Sequence, residues 1–357
     1  MAQVRLENGK MKQQYCKTEK QANTALRRML SEKEKGTLPT GPNQTLKVYL
    51  EQWLEQKYKL GTIRVSTYSM HQMRIRKHIV PLLGHIPLQK LTPQQVQAFY
   101  TKKMDEGLSP ATVRNLHAIL RGALDQAVKW NLVARNVCDA VTVPASQRHE
   151  TQPLTLEQAQ RLLDSARGYR LETLLIVAVA TGMRRGELLG LHWHDIDFAE
   201  ACLYVRRSVG RIAKHGVVVS QPKTKTSKRK IALPAFVLDA LKQHREHQVV
   251  LREKAGAQWQ ENDIVFCNIH GGYLSETRLQ SNFKMLLKRA ELPNIRFHDL
   301  RHSAASIFAK LHVHPKVVQE ILGHSDIGMT MNVYSHAFPS MQEEAMDKLD
   351  EAFKREY

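Results

Sequence analysis

The chain is 357 residues long, 42% of them hydrophobic, and carries 53 Lys and Arg against 34 Asp and Glu, a formal net charge of +19. Such a length and apolar content fit a folded chain of two or three domains. A positive surplus that recurs along the whole sequence points to a polyanionic partner, nucleic acid first, more than to charge kept for solubility. Cys16, Cys138, Cys202 and Cys267 lie far apart with no C-x-x-C pair, so they read as free thiols of a reducing compartment. The N-terminus is polar, and the longest apolar run, Leu174 to Ala180, is far too short to span a bilayer. A soluble, intracellular protein with no membrane partner is expected.

Residues 1–42 hold a turn signal, "ENGK", the helical stretch "TEKQANTALRRMLSEKEKG" ending at Gly36, and the start of the polar linker "TLPTGPNQT". Over 43–143 the pattern is helical. In "LTPQQVQAFY", Thr92 is an N-cap, Pro93 takes the first helical position and Gln95 completes a capping box. In "SPATVRNLHAILRGALDQAVKW", Val113, Leu116, Leu120, Leu124, Ala127 and Val128 make one apolar stripe. The polar faces of this helical domain carry Arg64, Arg74, Arg76, Lys77, Lys102, Lys103, Arg114 and Arg121. Cations with so few acids nearby suit a surface laid against phosphates.

After a second linker, "VPASQRHETQP", Thr155 and Gln158 form another capping box, and an apolar helix runs through "LETLLIVAVATG". Three strand-like runs follow, "CLYVRRSV", "GVVVSQPK" and "RKIALP", and then helices again. The expected fold class is therefore mainly α with a small antiparallel β-sheet: a helical domain, then a mixed α+β domain over 151–340. A last amphipathic helix, "MQEEAMDKLDEAFKREY", spans 341–357.

Several polar residues look out of place. "ATGMRRGELLGL" sets Arg184 and Arg185 after an apolar helix and a glycine, with Glu187 three residues past Arg184 as a ready ion partner. "FHDLRHSAAS" places His298 and Arg301 at i and i+3 on a helix start, with Asp299 between them, where anions are favoured. Taken alone, that H-x-x-R reads first as a capping histidine and a surface arginine. In "VVQEILGHSD", Gly323 ends a helix and His324 follows; ten residues on stands Tyr334.

Together, Arg184, a basic hairpin, His298, Arg301, His324 and Tyr334, in that order, resemble the tyrosine recombinase family, whose best-known branch is the phage integrases. The resemblance covers about residues 43–340. "TGMRRGELLGL" is similar to the family's first arginine motif, "FHDLRHS" to its H-x-x-R motif and "LGHSDIGMTMNVYSH" to its histidine and nucleophile motif. "HIVPLLGHIPLQKLTPQQV" is similar to the family's core-DNA-binding domain. The resemblance implies catalytic roles for Arg184, His298, Arg301, His324 and Tyr334, with Glu187 and Asp299 in support. The family's catalytic lysine lies in the turn between the second and third strands, where "PKTKTSKRK" offers Lys225, with Lys223 as its rival and Lys223 and Lys228 as DNA contacts. The N-terminal "VRLENGKMKQQYCKTEKQANTALRRML" is similar to the latter part of an arm-site-binding domain, without the first strand that such domains carry.

The residue types suit metal-free phosphodiester chemistry. A tyrosine can attack phosphorus to give a covalent phosphotyrosine. Two guanidiniums match the non-bridging oxygens, and a histidine adds a donor. A lysine can protonate the departing 5′ oxygen, while His298 assists proton transfer at the tyrosine. The stored bond dispenses with ATP, and no cofactor is expected. No metal is expected either: Asp195 and Asp197 in "HWHDIDF" read as a turn, and His192 and His194 lack an acid or Cys at ligand spacing. His302, His312, His314 and His336 read as surface or packing residues.

The resemblance further implies double-stranded DNA attachment sites as substrate and a homotetramer on two duplexes, monomeric or weakly associating without DNA. It also implies a directionality or bending factor, and a home in the bacterial cytoplasm, at the nucleoid, of a phage or mobile element's host. The C-terminal helix either docks on a neighbouring protomer or closes its own domain. Two other readings stay open: a type IB topoisomerase-like enzyme that relaxes DNA, and an inactive DNA-binding regulator.

Overall fold

The computed structural model describes residues 1–5, 11–34, 43–145, 152–212, 215–220, 228–324, 326–334, 346–347, 349–351 and 353. The chain divides into two units, Met1–Arg148 and His149–Tyr357, each with its own apolar core.

The first unit opens with an antiparallel hairpin of β1 (Ala2–Arg5) and β2 (Met11–Gln14), followed by helix α1 (Glu19–Glu34). Ala2 and Val4 alternate inward and cluster with Ala25 and Met29 of α1. Only the turn and the helix stand out in the sequence here, β1 and β2 being four residues each. Next come α2 (Leu46–Lys59), α3 (Val65–Arg74), α4 (Val80–Leu83), α5 (Pro93–Asp105) and α6 (Pro110–Lys129). Between α3 and α4 lies a π-helical turn, Ile75–Ile79, in which the Val80 N–H reaches back to the Ile75 carbonyl. Pro81 follows at once; it cannot donate and it crowds the carbonyl four residues before it, so the ladder widens there.

Both capping boxes form. The Gln95 N–H donates to Thr92 Oγ1 (3.3 Å) and the Thr92 N–H to Gln95 Oε1 (3.0 Å), with the same pair of bonds at Thr155 and Gln158. Val113, Leu116, Leu120, Leu124 and Ala127 are buried as one face of α6. One expectation fails: Lys103 is not a surface cation but is 5% exposed, its Nζ 2.6 Å from Glu106.

The second unit contains α7 (Leu156–Ser165), α8 (Glu172–Thr181), α9 (Arg185–Leu189), β3 (Ile196–Asp197), β4 (Cys202–Val205), β5 (Ser208–Ile212), β6 (Gly216–Ser220) and β7 (Arg229–Ala232). Helices α10 (Ala235–Ala255), α11 (Glu276–Arg289), α12 (Asp299–Lys310), α13 (Pro315–Leu322) and α14 (Ile327–Tyr334) complete it. Strands β3, β4 and β7 form an antiparallel sheet, and β5 with β6 a separate hairpin. The first strand-like run thus splits in two at Arg206 and Arg207. There the Arg207 guanidinium turns to the buried Asp195, Nη1 to Oδ2 at 2.7 Å, which leads the chain out of the sheet. The apolar α8 packs against α7, α10 and α12. No helix among the described residues is long and apolar enough to cross a membrane. The described residues between 346 and 353 are helical, with Met346, Leu349 and Phe353 exposed.

Candidate active site

The site is assembled on the turn that ends α8. Gly182 there has φ +58°, and a Cβ on it would collide with Leu322 and press on Ala304. A glycine lets α12 and α13 close onto the end of α8. Two residues later Arg184 is extended (φ −65°, ψ 147°) and stands just before α9 rather than within it. Its N–H donates to Glu187 Oε2 (3.0 Å), its Nη1 to Glu187 Oε1 (2.8 Å) and its Nη2 to the Gly323 carbonyl (3.0 Å). Glu187 is Arg184's partner, as its spacing suggested, but it is shared. Arg229, its side chain 6% exposed, donates Nη2 to Oε2 (2.9 Å) and Nη1 to Oε1 (3.3 Å). Burial alone would raise the Glu187 pKa; the bonds and charge of Arg229, then of Arg184, outweigh it and hold the carboxyl below its ordinary value.

Arg301, in the first turn of α12, is 5% exposed, which overturns its reading as a surface arginine. Its Nη1 donates to the Gly182 carbonyl (2.9 Å), while Nη2 is buried with no hydrogen-bond partner. Burial, and then the charge of Arg184, lower its pKa to about 9, so it is still a cation at neutral pH. His298 caps nothing; it is exposed, its ring centroid 6.1 Å from that of His302. Desolvation and then Arg301 lower its pKa. Asp299 is buried and accepts from the backbone and side chain of Arg296 (2.8 Å each), bonds that outweigh its burial and keep its pKa low. His324 is 7% exposed, with Nδ1 2.9 Å from Thr330 Oγ1. Burial, then Arg301 and Arg184, push its pKa down to about 4, so it is neutral at pH 7. Arg184, Arg301 and His324 therefore converge, with His298 alongside.

Tyr334 does not join them in this state. It is 0% exposed at the end of α14, packed with Ala305, Ala309, Val318 and Leu322, and its hydroxyl donates to the Val313 carbonyl. Burial raises its pKa. Helix α12 separates the two places: Arg301 lies near its start and Val313 beyond its end. At 1.5 Å per residue that is on the order of 15 Å.

Lys223 and Lys225 lie outside the described residues, and Lys228 is exposed just before β7. Arg229 and Thr330 were not singled out from the sequence. The alternation of β7 carried the signal for Arg229, since Ile231 and Leu233 on the same face are 2% and 5% exposed. In the first unit, Arg64, Arg76, Lys77, Arg114 and Arg121 are exposed and Arg74 is half-buried. Arg114 Nε donates to the Pro144 carbonyl (3.1 Å), and Arg121 pairs with Asp139 (2.9 Å).

His192 and His194 do have an acid near them, Asp263, supplied from far along the chain. The geometry suits a hydrogen-bond network better than a metal. His194 Nδ1 lies 2.5 Å from Asp263 Oδ2 and its Nε2 lies 3.0 Å from Arg207 Nη2, so both ring nitrogens have partners and one neighbour is a cation. Asp197 behaves as a turn residue, its Oδ1 accepting from the N–H groups of Ala199 and Glu200.

Comparison with known proteins agrees with the fold. The phage integrase family matches residues 152–341, and the phage integrase N-terminal SAM-like domain matches residues 45–104. A "tyrosine recombinase XerC-like" protein of Caldanaerobacter subterraneus is 30% identical, over 97% of this chain and 94% of its own. The ICEBs1 integrase of Bacillus subtilis is 29% identical, over 80% and 77%. Among solved structures, the Tn1549 transposon integrase in complex with a circular intermediate DNA superposes with a TM-score of 0.71 at 23% identity, over 86% of this chain and 99% of that one. A lambda integrase tetramer bound to a Holliday junction gives 0.61 at 20% identity, over 93% and 91%. The protein is of the class of enzymes that cut and rejoin DNA at specific sites, the site-specific recombinases. Within it, the chain belongs to the phage integrase family.

Proposed function

We propose that the protein recombines double-stranded DNA attachment sites through a 3′-phosphotyrosine formed on Tyr334, without metal or ATP. In this reaction the Tyr334 oxygen bonds to phosphorus as the bond to the 5′ oxygen breaks. Arg184 and Arg301 hold the non-bridging oxygens, and His324, neutral, donates from Nε2 when its Nδ1 accepts from the Thr330 hydroxyl. Lys225 supplies the proton that the 5′ oxygen takes, with Lys223 as the alternative, and His298 handles the tyrosine proton. Glu187 and Asp299 hold the arginine turn and the start of α12 in place. Arg64, Arg74, Arg76, Lys77, Arg114, Arg121, Lys223 and Lys228 contact the DNA backbone, Arg121 by giving up its exposed pairing with Asp139.

The observation that carries this reading is the unpartnered, buried Arg301 Nη2 beside Arg184: a desolvated donor next to a second guanidinium, with Glu187 shared among three arginines, is a seat for an anion. Tyr334 reaches that seat only by leaving Val313 and its apolar cluster, so α14 must move. The active assembly is a homotetramer on two duplexes, monomeric or weakly associating without DNA and assisted by a directionality or bending factor. It works in the bacterial cytoplasm on behalf of a phage or other mobile element.

The test is a nicked suicide duplex carrying the sequence that the protein selects from a randomised library. The wild-type chain should become covalently joined to it. Tyr334→Phe should bind equally well and form no adduct; an adduct from that variant removes Tyr334 from the role.

A further inference from the structure

We propose that Arg229 is a positioning residue for strand cleavage, fixing Arg184 and the Gly323–His324 turn through Glu187 and the last turn of α13. The inference rests on the reaction proposed above. Arg184 is held at two atoms, Nη1 by Glu187 Oε1 and Nη2 by the Gly323 carbonyl. Arg229 secures both holds. It contacts both Glu187 oxygens, and its Nε donates to the Ile321 carbonyl (2.6 Å), two residues before Gly323. Its side chain also lies under Gly323, where φ is +67° and a Cβ would come within 3.0 Å of Nη1 and 3.1 Å of Cδ. His324 is the next residue.

All three of Arg229's nitrogens thus have protein partners, on α9 and α13, and its own strand is pinned by the Val205 to Arg229 register of β4 and β7. That strand begins four residues after Lys225. One side chain therefore ties together the turn of the first arginine, the turn of the second histidine and the downstream end of the lysine segment. Only a planar fork reaches three such acceptors; a lysine ammonium in its place keeps the charge and loses the geometry.

The experiment measures single-turnover adduct formation by the full-length chain at saturating protein, on the selected suicide duplex. A second substrate has a methylphosphonate at the scissile position, which removes one charged oxygen and so lowers the demand on Arg184. Arg229→Lys should bind DNA within about twofold of wild type and cleave about a hundredfold more slowly, the cost of a misplaced catalytic group. The defect should shrink to about tenfold or less on the methylphosphonate, as it should for Arg184→Lys. Arg229→Gln, which keeps a planar donor group at the site without the full fork, should give the same substrate-dependent defect and decides the matter if Arg229→Lys does not fold. Equal defects on both substrates would show a purely structural residue and overturn the inference, as would a rate within about threefold of wild type. If wild-type protein itself forms no adduct, the proposed reaction fails, and this inference with it.

Discussion

Glu187→Gln tests the buried network at its centre. The carboxylate is 4% exposed and accepts four hydrogen bonds, at 2.8, 2.9, 3.0 and 3.3 Å, from two arginines. An amide of the same size removes the charge and one acceptor, leaving two guanidiniums facing each other. Breaking a buried pair in this way costs about 3–5 kcal/mol. For a unit of roughly 200 residues, each kcal/mol lowers the melting temperature by about 2–4 °C, so the shift should be on the order of 10 °C at pH 7. Calorimetry of the full chain reads it directly. Because the folded pKa of Glu187 lies below the ordinary 4.5, its contribution is complete above pH 4.5 and fades as pH falls through the folded value. The gap between wild type and variant should therefore close only in acid. Bound duplex, whose phosphate opposes the freed positive charge, should narrow it at neutral pH. A variant melting within about 2 °C of wild type at pH 7 would refute the account of a charged, doubly paired Glu187.

Three further outcomes are expected. Lys225→Ala should slow cleavage of ordinary DNA yet be largely rescued by a 5′-phosphorothiolate, whose sulfur leaves without a proton, while Lys223→Ala should mainly weaken binding; the reverse pattern moves the acid to Lys223. Affinity for the selected duplex should fall about a thousandfold between about 50 and 200 mM salt, and a flat dependence would assign the net charge of +19 to solubility instead. His324 has a folded pKa of about 4 against an ordinary 6.5, so the unfolded chain takes the proton first. Its contribution is complete above pH 6.5 and is lost as pH falls through about 4, a change of about 3 kcal/mol. His324→Asn should show a correspondingly flatter acid limb in urea titrations, and parallel curves would sink that assignment.

The parts of the site that were legible from sequence share a local frame. Gly182 before Arg184, the helix start around Arg301 and Gly323 before His324 are each defined within a few residues. What stayed hidden depends on distant partners. Arg229 sits in a run of basic residues, and nothing nearby says that its carboxylate lies 42 positions upstream. Asp263 meets His194 across 69 positions, which no local spacing reveals. Lys103 looked like a surface cation because of its charge, although it continues the Val96, Phe99 and Tyr100 stripe at helical spacing, a position that the pattern marks as inward. The break at Arg206–Arg207 stayed hidden through a distant partner too, its anchor Asp195 lying 12 positions upstream of Arg207, and the first hairpin because β2, "MKQQ", has no apolar alternation.

The burial of Tyr334 bears on how such an enzyme searches a chromosome. Prising an aromatic ring from an apolar cluster costs about 1.5–3 kcal/mol, and breaking its bond to Val313 about 1 more. At about 1.4 kcal/mol per factor of ten, the Tyr334 oxygen, the nucleophile proposed above, would be free in roughly one molecule in a hundred to one in a thousand. A basic protein slides over vast stretches of irrelevant duplex before it meets its target. If Tyr334 is the nucleophile, its burial makes each chance stop almost always harmless and spares the genome nicks at sites the protein merely visits.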